Sequence, residues 1–282
     1  MNNKKIVVFG GGTGLSYLLK GLKDFPLDIT AVITVSDDGR STGKLREEFH
    51  APAVGDIRKV LSSLSISSDN IKDMLEYRFD TTSDLDGHAL GNLILISLLN
   101  ITGSLKEAIK ELCILLDIKN KVLPLTEDAS VTLMAEMMDG SVIEGEASIT
   151  KSNKKIKKIF YKEQPKVLEE VKVAIKEADL IIFSMGSLYT SIFPHLICND
   201  VINCFDEVKT PIMYLCNIVT QPGETDDFTV SDHINLINSY LGKHKLDAVI
   251  ASNSKISEEM AMRYASEERK DPVKIDYPVR CV

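Results

Sequence analysis

Glycines crowd residues 10–14, where Gly10-Gly11-Gly12-Thr13-Gly14 follows the apolar run Ile6-Val7-Val8-Phe9. Glycine tolerates positive φ and lets another group approach the backbone closely. A helix that starts there aims unpaired N–H groups and the positive end of its dipole at an anion. Strand, glycine loop and helix together read as a phosphate cradle. The match to G-x-G-x-x-G is incomplete, because Leu15 stands where the third glycine would be. No Lys-Ser/Thr pair follows, so the loop is not a P-loop either.

Five further segments carry candidate chemistry. Ser36-Asp37-Asp38-Gly39-Arg40-Ser41-Thr42-Gly43-Lys44-Leu45-Arg46 follows a second apolar run. An acid at that place commonly binds a ribose hydroxyl, and Asp37 or Asp38 could instead hold Mg²⁺ beside a phosphate. Arg40, Lys44 and Arg46 are candidate phosphate clamps. In Gly55-Asp56-Ile57-Arg58, Asp56 reads as a helix N-cap and Arg58 as a side chain one turn inside. Asp86-Gly87-His88-Ala89-Leu90-Gly91-Asn92 offers His88, suited to acid–base work near neutrality. Ser184-Met185-Gly186-Ser187-Leu188-Tyr189-Thr190-Ser191 opens a helix behind an apolar run, so it is either a second anion site or a simple serine cap. Cys216-Asn217-Ile218-Val219-Thr220-Gln221-Pro222-Gly223-Glu224-Thr225 brings amides that could read a base or sugar edge. Asp37, Asp38 and His88 are the catalytic candidates. G-x-S-x-G, H-E-x-x-H and C-x-x-C are absent from the sequence, and no residue pair reads as a nucleophile with its own base.

These segments need a scaffold that gathers them. Residues 5–9 and 29–35 are unbroken β-branched runs, as in strands buried on both faces. Leu15, Leu18, Leu19 and Leu22 repeat at helical spacing between them, so the opening is βαβ. Residues 36–55 read as a long functional loop. Helical patterns follow at 56–65, 69–77, 89–101 and 104–116, then a hairpin over 131–149 turning at Asp139-Gly140. Strands at 156–160, 179–183, 211–216 and 246–251, with a helix over 166–178, restore the βα rhythm. The expected fold is α/β: a Rossmann-like, doubly wound, mostly parallel sheet flanked by helices. It forms one domain over 1–282, with a helical and hairpin segment inserted at about 56–150. Ligands of such sheets gather beyond the carboxyl ends of the strands, where four of the segments fall.

The bulk properties narrow the function. The 282 residues are 44% hydrophobic and 26% charged, with a formal net charge of −8. That charge disfavours nucleic acid as the main partner. The five cysteines, 113, 198, 204, 216 and 281, are widely spaced, as in free thiols of a reducing compartment. No secretory leader and no apolar stretch of membrane-spanning length is read from the sequence. The expected location is the cytoplasm, without membrane insertion.

The strings GGGTGLSYLLKGLK, ITVSDDGRSTGKLRE, GDIRKVL, GHALGNLIL, GSLYTSIFPHL and CNIVTQPGET occur in this order. As a set, from residue 4 to about 264, they closely resemble the YvcK-type proteins of the CofD-like family. One branch of that family, CofD, is a Mg²⁺-dependent 2-phospho-L-lactate transferase of deazaflavin synthesis. The other is a UDP-sugar-binding group associated with growth on gluconeogenic carbon, cell shape and cell-wall precursor supply. Leu15-Ser16-Tyr17 replaces the Pro-Lys of CofD-type loops, so the chain resembles the second branch. The resemblance implies UDP-N-acetylglucosamine or UDP-glucose as ligand, a regulatory rather than catalytic role with a protein partner, and a homo-oligomer. It implies a pocket lined by Gly10, Gly11, Gly12, Thr13, Gly14, Asp37, Asp38, Arg46, Arg58, Asn92, Gly186, Ser187, Leu188, Tyr189, Thr190, Asn217, Gln221 and Tyr264, with Arg280 as a C-terminal counterpart. A transferase of the CofD kind and a nicotinamide-dependent oxidoreductase are the alternatives.

Overall fold

A computed structural model describes residues 3–276, apart from 153 and 255. Lys4 and Lys5 of strand β1 (Lys4–Gly10) face water while Ile6 to Gly10 are buried. A tight turn leads to α1 (Thr13–Leu22) and then β2 (Leu27–Ile33). Helices α2 (Arg40–Phe49), α3 (Gly55–Leu64), α4 (Asp69–Glu76), α5 (Leu90–Thr102) and α6 (Leu105–Leu115) follow. Next come β3 (Lys121–Pro124), β4 (Leu133–Met137), β5 (Val142–Glu144), α7 (Glu146–Lys151) and β6 (Ile156–Tyr161). The rest runs α8 (Glu169–Glu177), β7 (Leu180–Phe183), a π turn Leu188–Ile192, α9 (Phe193–Leu196), α10 (Asn199–Glu207), β8 (Ile212–Leu215), α11 (Val230–Tyr240), β9 (Ala248–Ile250), α12 (Glu258–Arg263) and a second π turn, Tyr264–Glu268.

The described residues form a six-stranded sheet, β3-β2-β1-β7-β8-β9, and a three-stranded one, β5-β4-β6. Every pairing in the larger sheet is parallel. Numbered along the chain, its six strands run 3-2-1-4-5-6, the doubly wound order whose direction reverses between the first and fourth strands. Here the reversal lies between β1 and β7, where Phe9 pairs with Phe183. The expected fold class therefore holds.

The core beside that point is aromatic. The Phe9 ring lies 5.9 Å from Phe183, 5.0 Å from His195 and 5.9 Å from Phe205, the last two edge-on. His195 is fully enclosed, its Nε2 is 3.2 Å from Gly10 O, and burial pushes its pKa down to about 4. It is a neutral core histidine at physiological pH.

The structure departs from the sequence expectation in four places. The 36–55 stretch is not one loop, because α2 occupies its middle. Gly43 hid that helix, yet a Cβ there would overlap Asp38 O, so the chain needs glycine for packing. The segment at 56–150 is not a continuous insertion, since β3 returns inside it to pair with β2 at the sheet edge. Four residues ending in proline leave too short a signal to read. Strand β6 leaves the main sheet and pairs antiparallel with β4, making the hairpin three-stranded. Helix α8 begins at Glu169 rather than 166, beyond Pro165. Residues 277–282, with Arg280, lie outside the described residues.

Phe9 is fully buried at the centre of the aromatic cluster. Phe9→Ala is expected to cost about 3–5 kcal/mol of unfolding free energy, measured by denaturant titration.

Candidate functional site

The loop after β1 and the loop after β7 press together at the reversal point. A Cβ on Gly10 would overlap Ser184 Oγ, and one on Gly14 would overlap Met185 O. A Cβ on Gly11 would come within 2.7 Å of Ser191 Oγ, and one on Gly12 would strike the Asp56 carboxylate. The glycines are thus required by neighbouring protein atoms. The first-turn N–H groups of α1 have no partner inside the helix. Gly12 at its N-cap offers no side chain, no acid sits in the first turn, and Thr13 is exposed. The α1 N-terminus thus keeps its first-turn donors free of a side-chain cap, with the Asp56 carboxylate lying beside Gly12.

Across the reversal, Gly186 takes φ +150, a conformation suited to glycine. Asn217 grips both backbone groups of that residue: Oδ1 accepts from Gly186 N at 2.8 Å and Nδ2 donates to Gly186 O at 2.7 Å. Ser187 Oγ accepts from Thr190 N at 2.9 Å and donates to Glu224 Oε2 at 2.5 Å. Burial raises the Glu224 pKa to about 7, opposed by the Ser187 bond. Ser184 Oγ and Gln221 Oε1 are buried here without hydrogen-bond partners among the described residues. Leu188 and Tyr189, expected in the pocket, instead join the core, with the Tyr189 ring 5.3 Å from Phe193. The π turn rotates them inward, and the N–H groups of Thr190, Ser191 and Ile192 bond back to Ser187. Asn217, Ile218, Ala251 and Ser252 border a cleft of about 290 Å³ beyond β8 and β9.

The β2 side sorts its charged residues differently from the expectation. Arg46 is not a phosphate clamp. Its Nη1 donates to Ser36 O and Asp37 O at 3.2 Å, and its Nη2 to Ala129 O at 3.1 Å and Val131 O at 2.6 Å. Asp38 Oδ1 accepts from Ala147 N at 2.7 Å at the start of α7. Asp37 Oδ1 accepts from Gly39 N at 2.9 Å, and burial raises its pKa despite that bond. Glu146, a residue the sequence did not single out, accepts from Ser36 Oγ at 2.8 Å. Though half-exposed as a residue, its carboxyl is enclosed: desolvation, then the charges of Asp37, Asp56 and Asp38, hold its pKa well above the usual range. Lys44 is exposed.

His88 is buried, and its Nδ1 lies 2.8 Å from Ser41 Oγ, joining the entry of α5 to the first turn of α2. A second cleft, of about 360 Å³, lies between α2, α3, α5 and α7, and Asp37, Ser41, Arg58, Lys59, Asn92 and Glu146 line it. Arg58 is 2% exposed, with Nη1 2.9 Å from Glu76 Oε2 as an ion pair. Among the described residues no three His, Cys, Asp or Glu side chains converge to hold a metal ion. A Mg²⁺ ion would therefore have to share its coordination with ligand phosphates, as that ion usually does. Asp38, spent on the α7 cap, is the poorer of the two carboxylates for it.

Tyr264 heads the second π turn, half-buried, its side chain without a hydrogen bond or ring contact among the described residues. Lys59 and Glu146 are the site residues that sequence reasoning missed; Ser184, Ser191 and Glu224 stood inside segments read as chemistry-bearing, without being named as ligand groups.

An open parallel sheet with a glycine turn at its reversal point places the protein among Rossmann-like α/β proteins. The model of the family described as 2-phospho-L-lactate transferase CofD matches residues 6–281, and the chain belongs to that family. It is 45% identical over 275 residues to the gluconeogenesis factor of Bacillus subtilis, covering 96% of this chain and 86% of that protein. It is 42% identical over 277 residues to the gluconeogenesis factor of Halalkalibacterium halodurans, covering 98% and 85%. A crystal structure of a UPF0052-family protein from Bacillus halodurans superposes with a TM-score of 0.94 at 41% identity, over 98% of this chain and 88% of that one. No helix among the described residues is long and apolar enough to cross a membrane.

Two outcomes follow from this geometry. Gly14→Ala forces the β1 and β7 loops apart, and its thermal midpoint is expected to fall by several degrees, as a loss of about 1–3 kcal/mol would produce. Glu224 binds its proton more tightly folded than unfolded. Its stabilising share is therefore complete below pH 4.5, the ordinary value, and is lost as pH rises through about 7. Thermal midpoints recorded from pH 4.5 to 8 should fall in the native protein and fall less in Glu224→Gln, the difference reaching about 3 kcal/mol at most.

Proposed function

We propose that the protein binds a nucleotide sugar of the uridine diphosphate class, UDP-N-acetylglucosamine or UDP-glucose, and acts as a regulatory protein rather than a vigorous catalyst. The observation that carries this reading is the convergence of the Gly10–Gly14 turn, the Gly186 backbone and Asn217 at the reversal point. A diphosphate suits the α1 N-terminus. Ser184 Oγ and Gln221 Oε1, buried without partners, suit a polar ligand beside it. The names of the relatives add the context. In this reading the protein serves growth under gluconeogenic conditions and cell-wall precursor supply from the cytoplasm, as a homo-oligomer with a regulatory protein partner.

Calorimetry with UDP-N-acetylglucosamine and UDP-glucose tests it. Saturable heat with either is expected. Asn217→Ala, which releases the Gly186 peptide, should weaken binding at least tenfold while the protein stays folded. No heat and no thermal shift with either nucleotide sugar would sink the reading.

The family description favours a second reading, a Mg²⁺-dependent transferase with Asp37 at the metal. Positioning and electrostatics can carry phosphoryl chemistry without a protein nucleophile. Turnover of a lactyl-diphosphonucleoside with a deazaflavin acceptor and Mg²⁺ would establish it. NADH binding that a UDP-sugar does not displace would instead favour an oxidoreductase.

A further inference from the structure

The amino ends of β1, β2 and β3 border a cleft of about 370 Å³ that the nucleotide reading does not touch. It lies a strand's length, roughly 20 Å, from the glycine turn at the carboxyl end of β1. Its floor is one face of the main sheet. Lys5 pairs with Asp28 and Val7 with Thr30 across β1 and β2, and Thr30 pairs with Lys121 across β2 and β3. Alternate positions of a strand share a face, so Leu123 looks the same way as these residues. Burial along β3 alternates: Val122 and Pro124 are buried, Leu123 is half-buried and Lys121 is exposed. Strands of a parallel sheet are ordinarily covered on both faces. Here α8 stands over this face and leaves a cleft on the β2–β3 side.

On the α8 wall, Glu170, Val173, Ala174 and Glu177 stand at i, i+3, i+4 and i+7, which is one face of a helix. The acids of that wall are already answered. Glu169, Glu170 and Glu177 pair with Lys172, Lys106 and Lys5, each at 2.7 Å. Three polar groups on the floor are not. Thr30 is 6% exposed, yet its hydroxyl has no hydrogen-bond partner among the described residues and opens on the cleft. Asp28, half-buried, and Lys121, exposed, line the same cleft. Neither side chain makes a hydrogen bond or ion pair among the described residues. Thr30 stands between them, two residues along β2 from Asp28 and directly across from Lys121.

These three groups form a row beside an apolar surface of Val7, Leu123, Val173 and Ala174. An ammonium next to a hydroxyl suits a carboxylate, and the Asp28 carboxylate suits an ammonium. A ligand with a carboxylate alone would face the unpaired charge of Asp28, and an amine alone would face that of Lys121. A small zwitterion with an apolar body answers both charges and the apolar surface together. The cleft falls in the range of small-molecule sites, roughly 300–1,000 Å³. We infer that it binds an apolar α-amino acid, with the carboxylate on Lys121 and Thr30, the ammonium on Asp28, and the side chain against Leu123, Val173 and Ala174. The inference stands apart from the nucleotide-sugar reading, whose residues lie at the other end of the strands.

The test titrates the whole chain with leucine and phenylalanine, read by calorimetry and thermal shift. Isocaproate and isopentylamine serve as leucine without its ammonium and without its carboxylate. The expected result is saturable binding of at least one of the two amino acids, with both leucine analogues at least tenfold weaker than leucine. Lys121→Met and Asp28→Asn should each weaken the amino acid at least tenfold. Both side chains reach solvent, so the thermal midpoints of these variants without ligand should stay close to the native one. Thr30→Val keeps the β-branched shape a strand favours and should weaken binding severalfold. Any response to UDP-N-acetylglucosamine should be the same in all three variants and the native protein, so this proposal and the nucleotide-sugar reading fail separately. The proposal is overturned if neither amino acid gives saturable heat or a thermal shift. It is also overturned if Lys121→Met and Asp28→Asn bind as the native protein does, or if isocaproate binds as tightly as leucine, since no ammonium is then being read.

Discussion

Two backbone loops approach each other at the β1–β7 reversal more closely than any residue with a Cβ would allow. Gly10 admits Ser184 and Gly14 admits Met185 O. The approach sets the height of the glycine turn above the sheet and hence the direction of the α1 N-terminus. It also brings the Gly186 peptide within reach of Asn217 on the next strand end. Parallel pairing alone would align these strand ends, but it would not close the gap between their loops. The aromatic packing of Phe9, Phe183 and Phe205 beneath holds the two strands in step.

Around this contact, the polar groups divide by whether the fold has already paired them. Arg46 is spent on backbone carbonyls from two segments, and Asp38 on the start of α7. They brace the β2 loop against the smaller sheet. Ser184, Gln221, Arg58 and Asn92 keep buried atoms without protein partners. In folded proteins such atoms are few, and each calls for an explanation. Here they fall on the carboxyl side of the sheet, two near the β7 and β8 loops and two in the cleft beyond β2. The pairing of each side chain says which residues remain free for further contacts.

Much of the scaffold was legible because its signals are local. The unbroken apolar runs at 5–9 and 29–35 became β1 and β2, and the leucine spacing after Gly14 became α1. The helical periods at 56–65, 69–77, 89–101 and 104–116 became α3 to α6 with no end shifted by more than one residue. The failures have physical causes. Helix α2 carries Gly43 in its interior for a contact made by Asp38, a tertiary demand that looks like a helix breaker in one dimension. Strand β3 is four residues long and is stabilised by β2, far away in the chain, as in the pairing of Thr30 with Lys121. Leu188 and Tyr189 stood in a motif that reads as a pocket, but the π turn that follows Ser187 turned both into the core.

Residue order by itself determined the βαβ opening, the glycine turn and the recurrence of polar segments after apolar strands, because these depend on backbone freedom and periodicity within a few residues. It also carried the family resemblance, since the motifs stand in a fixed order. Only the tertiary structure decided which charges keep open hydrogen bonds and which are braces. Pairing depends on groups far apart in sequence: Arg46 with Val131, Asp38 with Ala147, Asn217 with Gly186. Arg46 and Arg58 are indistinguishable as arginines beside acidic segments. Burial and the presence or absence of carbonyl partners made one a strut and left the other with an open hydrogen bond.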